Sequence, residues 1–363
     1  MCKDICRDNT AQLQQLLDKR GDVYFPSGVY VISDTLVIHD HTRLTLAQDT
    51  VIRLADQACC LMLKNDSCYR NGSNRRIIVE GGTWDGNNQA QTRGKVYPDK
   101  PYNMGVVMRF ENVFDLTLRD LTIKDPESYA VQLRFADRFT IENITFDYNM
   151  VKRNMDGVHV NGPARNGVIR NIKGATNDDL VALNCDDGYD DGEKFIYTKG
   201  NIENITVDDL FADNGYTAVR LLSCGSTMRN ISIRNIFGTY RFYGISFTHH
   251  NIFPGERSWF DNIFVENFYC AKPPRDPAKK EKDPHEGAIR NAPLIWFEQG
   301  VHCGNVTFSG IGRIEEAETQ APTMRIDQDV QINHLVIKNA FQKFVNSPEI
   351  PLIVNHSNTE VML

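Results

Sequence analysis

A six-residue signature of apolar, any, apolar, polar, Asn/Asp/Gly, apolar recurs along this chain and narrows the folds open to it. Copies run over 116–121, 139–144, 205–210 and 231–236, with a looser one at 168–172 and weaker ones at 263–268, 306–311 and 335–340. From Leu118 to Ile337 the third positions are 23, 28, 38, 26, 32, 43 and 29 residues apart. A unit this short, without amphipathic helices between copies, is too small for a βαβ repeat with linkers. It suits a solenoid of three short strands per coil, each coil pairing its backbone with the coils above and below. The fifth-position Asn and Asp then belong at the bend between two strands, because these residues tolerate the left-handed conformation.

The pattern predicts an all-β chain of one domain. A capping helix at about 10–20 within 1–21 carries Leu13, Leu16 and Leu17 on one face, roughly ten coils fill 22–345, and a tail covers 346–363. On the strand after each signature, Val131, Val158, Val181, Val219 and Ile245 point inward, and Gln132, His159, Ala182, Arg220 and Ser246 form an outward strip. Two acidic steps fall next to this strip, Asn154 to Asn161 and Asn177 to Asn184. They align at a spacing of 23, so that Asp156 matches Asp179 and Asn161 matches Asn184. One coil apart means about 4.8 Å, which gathers Asp156, Asp178 and Asp179 on one patch. Like charges that close repel and push a carboxyl pKa upward, a cost that points to acid/base chemistry.

The other signals are weaker. With 41% hydrophobic residues the chain can build a core, and a net charge of −7 disfavours a nucleic-acid partner. Nine cysteines lack metal-ligand spacing, and no apolar stretch is long enough for a leader or a membrane span. A reduced, soluble, cytoplasmic protein is expected, the alternative being a secreted enzyme whose leader has been removed. No metal or cofactor is expected, and oligomeric state is open. The run 185–193 is read as an exposed acidic loop near the cleft rather than a calcium loop, since it lacks EF-hand spacing. Two insertions interrupt the repeat. The one at 85–105 carries Arg93, Lys95, Tyr97, Lys100 and Tyr102, which can line a sugar groove, and the one at 272–284 reads as a solvated excursion. Trp84 and Trp259 are expected to pack under loops.

These residues resemble a family. Val23 to Tyr30 looks like the opening turn of pectate-lyase-like right-handed parallel β-helices. Glu80-Gly81-Gly82-Thr83-Trp84-Asp85-Gly86-Asn87 looks like a coil of glycoside hydrolase family 28, the polygalacturonases. The steps at Asp156 and at Asp178-Asp179 resemble that family's first two catalytic motifs, and the resemblance runs from about residue 8 to about 340. It implies that Asp178 is a general acid and that Asp156 and Asp179 hold and deprotonate the attacking water, as in an inverting hydrolase. The family's Gly-His-Gly and Arg-x-Lys motifs are missing, replaced by Tyr216 to Leu221 and Gly244 to Thr248. A uronate is then not strictly required at the cleavage subsite, and Arg220 is expected to contact whatever polar group lies there. His159, Asn154, Tyr216 and His249 are the other expected substrate contacts. The expected partner is an oligosaccharide or polysaccharide. Competing readings are a polysaccharide lyase or epimerase on the same fold and a non-catalytic glycan-binding helix.

Overall fold

The computed structural model describes residues 8–92, 105–190, 195–274 and 291–363, and the chain is a right-handed parallel β-helix. The five aromatic and basic residues picked out in the first insertion, and 275–284 of the second, lie outside the described residues. Every copy of the signature stacks on the next. Leu118 pairs with Ile141, then Ile169, Val207, Ile233, Val265, Phe308 and Ile337 follow in one column. These side chains belong to one continuous apolar core that runs from Leu13 to Ile337. Inward alternate residues remove their apolar area from water coil after coil, which is the main stabilising term of such a fold.

The bends follow from the fifth-position residues. Asp120, Asn143, Asn171, Asp209, Asn235, Asn267 and Asn339 all have φ between 51° and 58°, and Gly310 has φ 81°. Their side chains link successive coils: Asn143 Nδ2 donates to Asp120 Oδ1 at 2.8 Å, Asn171 to Asn143 at 2.7 Å, and Asn267 to Asn235 at 3.0 Å. A second amide ladder, Asn166, Asn204, Asn230 and Asn262, turns another corner in the same way. Asn267→Ala is therefore expected to cost about 1–2 kcal/mol through the left-handed backbone alone. Asn267→Gly should lose only the ladder bond, so its urea midpoint should stay above that of the Ala variant. Equal midpoints would show that the bend conformation carries no such preference.

The glycine pair of the Gly81-Gly82-Thr83 coil has a local cause. Both glycines have positive φ, and a Cβ on Gly81 would lie 2.3 Å from the Leu46 carbonyl oxygen. The helix Thr10–Leu17 covers the first coil. Leu13 and Leu17 enter the core, and the Gln14 amide donates to the Val37 carbonyl and accepts from the Val37 N–H, occupying an edge strand that would otherwise be open.

One sheet face has eleven rungs among the described residues, from Leu36–Ile38 through Val131–Asp147, Val158–Lys173, Asp179–Asn184, Thr217–Leu222 and Ile245–Thr248 to Ile353–Asn355. The last rung corrects the expected tail. Ile353–Asn355 and Val361–Met362 pair with preceding coils, so the solenoid continues past 345. No helix among the described residues is long and apolar enough to cross a membrane.

Candidate active site

The 23-residue register holds. Val158 pairs with Val181 and Asn161 with Asn184, and the Gly157 N–H donates to the Asp179 carbonyl at 2.9 Å. The outward column reads Gln132, His159, Ala182, Arg220, Ser246 as expected, and extends to Trp296 and Arg325. Pointing away from the core does not mean exposure here. Gln132, His159, Ala182 and Ser246 have almost no accessible surface, and Tyr129 and a hairpin lie against His159.

The three carboxylates differ in their surroundings. Asp156 is buried, and its Oδ2 lies 2.7 Å from His159 Nδ1. Asp179 is also buried, and its Oδ2 forms an ion pair with Arg220 Nε at 2.8 Å. Asp178 is only partly buried and accepts a hydrogen bond from Asn154 Nδ2 at 3.1 Å. Desolvation, together with the charges of Asp179 and Asp156, drives the Asp178 carboxyl well above the usual range, against the opposing pull of Arg220 and Asn154. Asp179 is raised to about 6 by desolvation, which Arg220 partly offsets. Desolvation also acts on Arg220, yet the surrounding Asp179, Asp178, Asp187 and Asp156 raise its pKa further, so it stays charged.

The other expected contacts are distributed unevenly. Asn154 is exposed and touches Asp178. Tyr216 is half-buried in an aromatic wall, 5.1 Å from Phe242, with the Arg241 guanidinium 5.5 Å from its ring and Arg241 Nη2 donating to Asn177 beside Asp178. The wall continues through Tyr243 to Trp296, whose rings stack at 4.7 Å. Two expectations need correcting. His159 has no exposed surface, and its ring faces Asp156 rather than the open cleft. His249 is buried as well, with Nδ1 accepting from the Asn251 N–H and Nε2 3.0 Å from the Glu256 carbonyl, so its ring serves the loop.

The acidic run is also corrected. Its described part is not an exposed loop: Asp186–Asp190 pairs antiparallel with Phe195–Lys199. Asp186 is fully buried, accepting from the N–H groups of Cys224 and Ser226, and Asp187 turns under the cleft toward His159. Asp187 and Tyr129, which stacks on the His159 ring at 4.1 Å, were not singled out from the sequence. Trp84 is fully buried as expected, whereas Trp259 is 40% exposed.

The model of the glycosyl hydrolases family 28 matches residues 71–200. No curated protein matches the chain. Among solved structures, a family 28 exopolygalacturonase of Yersinia enterocolitica is 12% identical, covering 100% of this chain and 77% of its own, with a TM-score of 0.58. The endo-xylogalacturonan hydrolase of Aspergillus tubingensis is 15% identical over 99% of this chain and 98% of its own, with a TM-score of 0.57. The A-module of a mannuronan C-5 epimerase from Azotobacter vinelandii is 13% identical over 96% of this chain and 95% of its own, at 0.55. At such identities the likeness speaks for the fold, whereas the family match falls on the segment that holds Asp156, His159, Asp178, Asp179 and Asp187, and there the chain resembles glycosyl hydrolases family 28.

Proposed function

We propose that this protein is an inverting glycoside hydrolase acting on a pectin-like or related oligosaccharide or polysaccharide. The observation that carries the reading is the asymmetry of its carboxylates. Of the three, Asp178 alone reaches the surface and its carboxyl is driven well above the usual range, whereas Asp156 and Asp179 are buried, against His159 and Arg220. Pushing neighbouring carboxyls apart in this way separates an acid from its bases. Asp178 protonates the leaving oxygen, and Asp156 with Asp179 holds and deprotonates the water that attacks from the other side. The sugar at the cleavage subsite need not be a uronate, because Ser246 stands beside Arg220 where a second cation could have been. A lyase or epimerase needs a base beside an acidic sugar, and the strongest cation here is committed to Asp179.

The test is incubation with pectic oligosaccharides and aryl glycosides, with the configuration of the freshly released anomer read by NMR. Inversion is expected, and a retained anomer or an unsaturated product would overturn the assignment. The acidic limb of kcat/KM should fall as Asp179 protonates near its pKa of about 6. Arg220→Gln removes the cation that holds this pKa down, so the limb should move to higher pH. An unmoved limb in that variant would take Asp179 out of the base role.

A further inference from the structure

Both nitrogens of the buried His159 ring face carboxylates, Nδ1 at 2.7 Å from Asp156 Oδ2 and Nε2 at 3.3 Å from Asp187 Oδ2. A neutral imidazole has one unprotonated nitrogen, which would point a lone pair at an anion. Asn184 Nδ2 also lies 3.3 Å from Nε2, but its shorter contact is the 2.6 Å hydrogen bond to Asp187 Oδ2, and the doubly protonated ring is the form that meets an anion at each nitrogen. Both oxygens of Asp187 are engaged within the protein. Its Oδ1 accepts from the Gly188 N–H at 2.6 Å, and its Oδ2 accepts from Asn184 Nδ2 at 2.6 Å and faces the ring at 3.3 Å. Tyr129 lies nearly parallel to the imidazole, tilted by 12°, and its face also favours a cation.

We propose that Asp187, reinforced by Tyr129, holds His159 as an imidazolium that keeps Asp156 aimed at the attacking water, so that Asp187 and His159 are positioning residues of the reaction. This rests on the function proposed above. Nothing in the coil repeat supplies Asp187: it arrives on the hairpin that interrupts the solenoid between Asn184 and Ile202, anchored by Asp186. The groups facing the imidazole are Asp156 just before its own strand, Asp187 on the hairpin, Tyr129 one coil before and the neutral Asn184 one coil after, with Asp179 and Arg220 beyond. Burial alone would lower the His159 pKa, and the two carboxylates reverse this and bring it to about 9. Asp187 is correspondingly lowered to about 2, the pull of His159 overcoming its desolvation.

The experiment is an NMR titration of the His159 ring in the full chain, its signal assigned by its loss in His159→Gln, alongside pH profiles of kcat/KM for the wild type and Asp187→Asn. The wild-type ring should stay protonated to about pH 9. In Asp187→Asn the midpoint should drop by at least about one pH unit, the usual effect of losing a nearby opposite charge, and Asp187→Glu should restore most of it. The ratio of wild-type to Asp187→Asn activity should stay small at acid pH and grow as the pH rises, because below both midpoints the ring is charged in either protein. A merely structural Asp187 would lower activity by the same factor at every pH, and that result overturns the proposal. So does a wild-type ring that is neutral at pH 7, a measurement that decides the matter even if Asp187→Asn fails to fold. If the ring titrates as stated while no glycan is cleaved, the function proposed above fails and the ion triad stands without its catalytic purpose.

Discussion

Replacing Asp178 by Asn should lower turnover by about 10²-fold or more, since a positioned general acid contributes roughly 10²- to 10⁴-fold. The fold should survive. The amide is nearly isosteric, its oxygen can keep the hydrogen bond from Asn154, and a neutral group is relieved of the repulsion from Asp179 and Asp156 that Asp178 meets when ionised. Circular dichroism and the urea midpoint should therefore match wild type. An aryl glycoside whose leaving group needs no proton should lose much less than a sugar-leaving substrate. Near-normal turnover of a natural oligosaccharide by this variant would remove Asp178 from the acid role.

A second large effect is expected far from the carboxylates. Arg313 and Glu315 form an ion pair at 2.6 Å with no accessible side-chain surface on either partner. Glu315 also accepts from the backbone N–H groups of Lys272 and Ala317, and Arg313 donates to the Ala321 carbonyl. Burial pushes the Lys272 amine well below its ordinary pKa, and the amine donates to the carbonyls of Arg241 and Phe242. Glu315→Gln would leave Arg313 buried without a counter-charge, at an expected loss of about 3–5 kcal/mol in urea unfolding. Replacing both partners, Arg313→Met with Glu315→Leu, should recover most of it. A loss of under about 1 kcal/mol for the single change, as for exposed pairs, would show that water reaches the pair. Because Phe242 and Arg241 build the aromatic wall beside Asn177, this cluster also supports one side of the cleft.

Much of the fold was legible because a parallel β-helix obeys short-range rules. Leu118 through Ile337 could be aligned by a six-residue pattern, and each stacks on the next because inward side chains repeat with the coil. Asn143 and Asn267 could be placed at bends because few other residues tolerate φ near 55°. The site was legible to the same extent: the 23-residue spacing brought Asp156 and Asp179 together. What stayed hidden obeys no period. Asp187 enters on an antiparallel hairpin, whose pairing depends on chain reversal rather than coil length. His159 was expected to meet substrate because it points outward, yet what covers it, Tyr129 and that hairpin, comes from other parts of the chain. Trp296 lies on the same outward column, but it is 50 residues after Ser246 because the second insertion falls between them, and the repeat could not be followed across.

The left-handed bends give this chain a grammar for changes of length. Along a strand side chains alternate between core and exterior, so inserting one residue into the Val158 to Asn161 rung would turn His159 into the core and Val160 out of it. Two inserted residues would restore the faces but displace every partner in the coils on either side. Length can therefore vary where pairing is interrupted between rungs, as at 249–258 and at the hairpin. A lineage with this architecture can rebuild its cleft through those segments, adding or trimming substrate contacts, while the rungs that hold Asp156, Asp178 and Asp179 keep their spacing. Deletion scanning would show this as a punctuated map, with tolerated sites confined to a few surface windows and separated by long intolerant blocks.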